Sequence, residues 1–298
     1  MSSLENPAPP DPTADPVLPE IDPSLLELDG RSFKDRSRPA AAQRAAYHLA
    51  RAAQLRASRG SAPPAEQTPM AAGAAGIGDH YAGFYNFGTS PDWTPEYGTQ
   101  EPGGEGWIMH SQGPTSSRMR FNYPLNDGSS PYTVVEASMR GAPDNGKNSY
   151  VILIEQFCAD NPRNPDGSFN FCDEIDIVEY YGQTSHQRGE FTIHQNGQLD
   201  NVGTMVWPTQ ANPGHNQTIY YIYLEPGNYL EWVLYDGNFS LLGQWDRHSS
   251  DGYVPSRTMN LYVGIWDMGP APGNEVDPPG SFTGDSWMAL SWIHVLAP

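Results

Sequence analysis

At 298 residues, with 16 Lys and Arg against 35 Asp and Glu and a formal net charge of −19, the chain has room for one large domain plus an extension. The charge argues against nucleic acid or an anionic membrane surface as the main partner. Thirty glycines, 29 prolines, 8 Trp, 16 Tyr and 10 Phe favour an all-β architecture with many turns, and no apolar run is long enough to span a membrane.

The chain begins Met1-Ser2-Ser3-Leu4-Glu5-Asn6-Pro7, with neither a basic start nor an apolar stretch, so no standard signal peptide is visible. The first 35 residues are rich in Pro, Asp and Ser and hold one apolar island, Leu25-Leu26-Glu27-Leu28, too short for a core. From Ser37, a good N-cap, to Arg59 the chain is rich in Ala and Arg, and Gly60 is a stop signal. This predicts a basic helix over about 38–59, roughly 30 Å long. Ser61 to Gly76 reads as a Pro/Ala/Gly linker. Residues 1–75 hold eight of the bases and nine acids, leaving 26 acids against eight bases in 76–298. The expected division is therefore an extended arm, 1–75, and a folded domain, 76–298. The arm is expected to anchor the domain on a larger protein assembly, outside the cell or on a virion surface.

Strands are predicted next, separated by turn clusters. In Thr133 to Arg140, Val135, Ala137 and Met139 alternate with Glu136, Ser138 and Arg140, the pattern of a half-buried strand. Ser149–Phe157, Glu174–Tyr180, Gly189–His194, Ile219–Leu224, Tyr229–Tyr235, Met259–Trp266 and Trp287–Leu296 complete two packed antiparallel sheets, a β-sandwich. Cys158 closes one strand and Cys172 opens another across a loop of Asn-Pro and Asp-Gly turns. If those strands pair, the cysteines face each other and a disulfide is expected, the other reading being two buried free thiols. Two cysteines without nearby histidines do not make a zinc site.

The segment Glu174-Ile175-Asp176-Ile177-Val178-Glu179 is the most informative in the chain. Strand parity puts Glu174 and Asp176 on one face, with Ile175 and Ile177 on the other. Strict alternation would send Glu179 the wrong way, so one extra residue, a β-bulge near Ile177 or Val178, is needed to bring it back. Three carboxyls with no Lys or Arg between Arg163 and Arg188 repel one another and raise one another's pKa. Such clusters mark functional sites.

The string Asp173-Glu174-Ile175-Asp176-Ile177-Val178-Glu179-Tyr180-Tyr181-Gly182 resembles the signature of glycoside hydrolase family sixteen, which includes laminarinases, agarases, carrageenases and xyloglucan-modifying enzymes. Phe191-Thr192-Ile193-His194, Leu230 to Gly237, Met259 to Trp266 and the closing Pro279 to Leu296 are similar to further segments of that family. The resemblance covers roughly 77–298. It implies a concanavalin-like jelly-roll and a retaining endo-glycosidase acting on a β-linked polysaccharide, β-1,3-glucan or galactan-like. Glu174 would be the nucleophile, Asp176 the assisting carboxyl, and Glu179 the acid/base, protonated at the outset because of its anionic neighbours. The candidate substrate contacts are His194, Trp266, Trp207, Tyr180 and Tyr181, one of the two tyrosines having to face the cleft; Trp232 could stack on a sugar ring as Trp207 and Trp266 could, burial being the commoner fate of any tryptophan. The alternative is a carbohydrate-binding surface or virion decoration protein held by its arm. No cofactor is called for, and a structural calcium ion is compatible with the fold.

Overall fold

The structure is a computed structural model that describes residues 77–298 except 84–86, 104–105, 113–114, 144–145, 162–164, 166–171, 183–187, 196–197, 201–216, 238–240 and 268–283. The expected arm, its helix and its linker lie outside the described residues, as does Trp207. Fifteen strands are described: β1 (Gly78–Gly83), β2 (Trp93–Tyr97), β3 (Gln100–Gly103), β4 (Gly106–Gln112), β5 (Ser117–Phe121), β6 (Thr133–Arg140), β7 (Lys147–Glu155), β8 (Glu174–Gly182), β9 (Arg188–Gln195), β10 (Gln198–Asp200), β11 (Thr218–Glu225), β12 (Tyr229–Asp236), β13 (Leu241–His248), β14 (Met259–Asp267) and β15 (Asp285–Ala297). A single turn of helix, α1 (Gln156–Asp160), follows β7.

The strands form two antiparallel sheets. The back sheet runs β13-β12-β11-β6-β15-β4-β3, with β1 also paired to β15, and the front sheet runs β10-β9-β8-β7-β14-β5-β2. Between them lies one apolar core. Alternate residues of each strand supply it: Val151 and Leu153 from β7, Leu261, Val263 and Ile265 from β14, Tyr220, Ile222 and Leu224 from β11, and Leu230, Trp232 and Leu234 from β12. The period-2 pattern thus decides which half of each strand leaves water, and that burial is the main stabilising term.

Two expectations are corrected. Cys158 does not close a strand: β7 ends at Glu155, whose carboxylate is held by Arg257 at 2.7 Å, and Cys158 lies in α1. The bridge to Cys172 forms nonetheless, across Cα atoms 6.1 Å apart. More consequential is β6. Alternation predicts a solvated face bearing Glu136 and Ser138, yet these are 1% and 0% exposed, as buried as Val135 and Ala137. They point away from the sandwich core, onto the outer face of the back sheet, and that face is covered as well.

Candidate active site

The site face is the outer side of the front sheet, and its centre is β8. Against β7, Asp176 pairs with Ile152 and Val178 with Val151, which leaves Ile177 without a counterpart. Against β9 the pairing jumps from Asp176–Thr192 to Glu179–Glu190. Ile177 is therefore the extra residue of a bulge. Ile175, Ile177, Val178 and Tyr180 all enter the core, so Glu174, Asp176 and Glu179 share the opposite, outer face.

A bulge leaves backbone groups off the ladder, and a buried carbonyl without a partner is costly. Here the Ile177 carbonyl accepts a 2.8 Å hydrogen bond from the Trp232 indole N–H. Trp232 crosses from β12 of the back sheet, is fully buried, and stacks on Phe191 of β9 with centroids 5.1 Å apart. A residue of the far sheet thereby holds the kink that phases the carboxyls.

Each carboxyl has a different setting. Asp176 is fully buried and lies 2.9 Å from His194 Nε2 on β9. Glu179 is half-buried and accepts a 2.6 Å hydrogen bond from Asn148 Nδ2 of β7. Glu174 is half-buried. Burial, followed by the charge of Asp176 and a hydrogen bond to it, pushes Glu174 well above the usual carboxylate range, with His194 opposing the shift. Asp176 is likewise raised, by burial first and then by the Glu179 charge. The two share a hydrogen bond, so they titrate as a pair and at least one proton resides on it well above pH 4.

The front sheet extends this face in both directions. On β9, Thr192 and His194 alternate with the core residues Phe191 and Ile193. On β14, Trp266 is 39% exposed, faces Asn148 in the ladder and lies 5.3 Å from the Tyr150 ring. The Tyr150 phenol reaches over Gly264, where an added Cβ would sit 2.4 Å from its Oη. Beyond it, Arg118 of β5 stands 4.4 Å from the centroid of the Tyr262 ring and is bound by Glu96 at 2.6 Å, with Arg120 3.6 Å from the same carboxylate. Glu96 therefore offsets much of the positive charge that these arginines bring to an acidic domain.

Of the expected contacts, His194 and Trp266 lie on this face, Trp266 as an exposed indole. Tyr180 does not. Once the bulge has restored phase, alternation sends Tyr180 into the core, fully buried beside Gly141, where a Cβ would meet its ring at 2.1 Å. Tyr181 occupies the β8 position paired with Asn148. Asn148, Tyr150, Tyr262, Arg118 and Glu96 were not anticipated. Their spacing on single strands marks parity, but only the pairing of β7 with β8 and β14 brings them to the carboxyls. Among the described residues no group of three His, Cys, Asp or Glu side chains forms a metal-holding cluster. A hollow of about 790 Å³ lined by Asn126, Glu155, Phe157, Arg257 and Thr258 opens at the ends of β7 and β14, and none of the three carboxyls lines it.

A two-sheet β-sandwich that carries a carboxyl trio on one bulged central strand has the architecture of a glycosidase-type protein. The chain belongs to the glycosyl hydrolases family 16, whose model matches residues 115–285. It is similar in structure to the apo Crh5 transglycosylase, at 17% identity over 76% of this chain and 86% of that one with a TM-score of 0.56. The Bacillus licheniformis β-glucanase is similar at 14% identity over 74% and 99%, TM-score 0.55. The laminarinase catalytic domain from Thermotoga maritima is similar at 13% over 75% and 99%, TM-score 0.54. At such identities the likeness establishes the fold. A comparison with curated protein sequences returned no match.

Proposed function

We propose that this protein is a retaining endo-glycosidase acting on a neutral β-linked polysaccharide, a β-1,3-glucan or a galactan. The observation that carries the reading is the bulge at Ile177, which gathers Glu174, Asp176 and Glu179 on one face. In this mechanism the Glu174 carboxylate attacks the anomeric carbon while Glu179 gives its proton to the departing oxygen. The glycosyl–Glu174 ester then yields to a water deprotonated by Glu179. Asp176, between them, keeps a proton in the pair and stabilises the Glu174 anion by hydrogen bonding. Asn148 fixes the rotamer of Glu179, His194 holds Asp176, and Trp266 offers a sugar-stacking surface. The Cys158–Cys172 bridge fits an oxidising compartment, where such polysaccharides occur. Whether water or a second sugar takes the glycosyl group depends on acceptor binding, and a transglycosylase uses the same first step.

The test is incubation with β-1,3-glucan, mixed-linkage glucan, agarose and xyloglucan, scored by new reducing ends. Early products are examined by proton NMR for the anomeric configuration. Net retention is expected, with Glu174→Gln inactive yet still binding the glycan. Azide is expected to rescue Glu174→Gly and give the inverted glycosyl azide. Inverted product from the unmodified enzyme, or full activity in Glu174→Gln, would overturn the assignment.

A further inference from the structure

The outer face of the back sheet is the most unusual surface of the molecule. It presents Val134 and Glu136 of β6, Ile219, Tyr221 and Tyr223 of β11, and Tyr229, Glu231, Val233 and Tyr235 of β12. It also carries Trp292 and His294 of β15. The apolar members form a cluster separate from the sandwich core, and all of these residues are between 0% and 4% exposed. The outer face of the front sheet, by contrast, leaves Trp266 39% and Tyr97 43% exposed. Yet among the described residues no helix or strand packs over the back face; Tyr132 and Leu296 border it, as do Gln244 and His248 of β13, against Glu231 and Tyr229. Something else excludes water from four adjacent strands, a patch roughly 20 Å across.

The cover must be apolar enough for four tyrosines and a tryptophan, and a positive cover would complement Glu231 and Glu136, the latter set between Tyr221 and His294 in the ladder. Two buried carboxylates need cationic or hydrogen-bonded partners; Gln244 donates to one oxygen of Glu231 at 2.9 Å. The two carboxylates also lie near Tyr221, whose hydroxyl is pushed up by burial first and then by Glu231 and Glu136. One segment of this chain answers that description. Between Arg31 and Arg59 stand eight Lys or Arg against a single acid, Asp35, interleaved with alanines, Tyr47, Leu49 and Leu55. It is also anchored in the right place. Residues 1–76 lead directly into β1, which pairs with β15 from Gly78–Ala297 to Gly83–Trp292, the strand that carries Trp292 and His294 on this face. A helix of about 20 residues is about 30 Å long and 10 Å wide, so one helix plus an extended stretch spans the patch.

We propose that the N-terminal segment folds back on its own domain: its basic stretch packs on the outer face of the back sheet, with arginines against Glu136 and Glu231, and the site face on the opposite side stays open. The other segments outside the description that could reach the face are 201–216 and 268–283. Each is 16 residues long and runs from a front-sheet strand to the start of a back-sheet strand, β11 or β15, and neither contains a Lys or Arg to meet the two carboxylates.

The experiment uses the full chain with p-benzoylphenylalanine incorporated at position 221, and separately at position 235 at the margin of the face in case the first placement disturbs folding. After irradiation and proteolysis, cross-linked peptides from residues 1–76 of the same molecule are expected. Cross-links to 201–216 or 268–283, cross-links to a second molecule, or none from a folded sample would overturn the proposal. Trypsin supplies the second measurement. Glu136→Gln combined with Glu231→Gln should raise cleavage between Arg31 and Arg59 by about tenfold or more, since a charge-assisted hydrogen bond is worth at least that factor. Unchanged cleavage in a folded double variant would refute the charge pairing.

Discussion

Trp232→Phe isolates the strut beneath the site. The substitution removes the indole N–H that donates to the Ile177 carbonyl at 2.8 Å, and Ile177 is fully buried, so water does not replace the donor. An unsatisfied buried carbonyl costs about 1–3 kcal/mol. Shrinking the ring also weakens the stack on Phe191, 5.1 Å away at 25°, worth about 1 kcal/mol. The sum is about 2–4 kcal/mol. At about 2–4 °C per kcal/mol for a domain of this size, Tm should fall by about 5–15 °C. The effect on turnover should exceed what lost stability explains, because the bulge sets the phase of Glu179 relative to Glu174. The assay pairs thermal melting with initial rates measured well below Tm. Trp245→Phe is the control: Trp245 also touches Phe191, at 5.3 Å, but is only partly buried. If Trp232→Phe melts within a degree of the parent and keeps its rate, the bulge does not depend on this bond and the reasoning fails.

Other perturbations bear on the same architecture. Because burial raises both Glu174 and Asp176, helped by the Asp176 charge on the first and the Glu179 charge on the second, the folded state holds protons that the unfolded chain releases above about pH 4. Their contribution to stability is full below that pH and is lost as pH rises through the folded values. Glu174→Gln should therefore melt about 2–4 °C above the parent at pH 7, with the gain shrinking toward pH 4; an equal gain at both pH values would contradict this. Asn148→Leu removes the 2.6 Å donor to Glu179 and should lower kcat by about 10- to 100-fold with little change in KM, read from saturation curves. Gly264→Ala drives a Cβ to within 2.4 Å of Tyr150 Oη and 2.5 Å of the Ser117 carbonyl, and overpacking of this kind should cost about 1–3 kcal/mol in denaturant titration. Cys158→Ser with Cys172→Ser opens a bridge that spans 14 positions and should cost about 3 kcal/mol. The parent should match that variant once reduced.

How much of this molecule its sequence determines is clearest at β8. Parity along one strand, and the need for one extra residue to bring Glu179 back, follow from residues 174–179 alone, since both are properties of a single extended chain. The strongly alternating strands are equally legible, and β6 begins and ends where its pattern does, at Thr133 and Arg140. The edge strands β2 and β3, Trp-Thr-Pro-Glu-Tyr and Gln-Glu-Pro-Gly, are not, because their prolines and short lengths leave no periodic signal. Nor does any single strand show what lies across from it. The donor to the bulge comes from β12, 55 positions away from Ile177, and the partner of Glu179 comes from β7, 31 positions away. Alternation separates two faces of a strand but does not say what each face meets. Tyr180 and Tyr181 are therefore distinguished only once the core side is known. For the same reason Glu136 reads as solvated on its strand and is buried in the molecule, since burial is decided by whatever packs over a whole sheet.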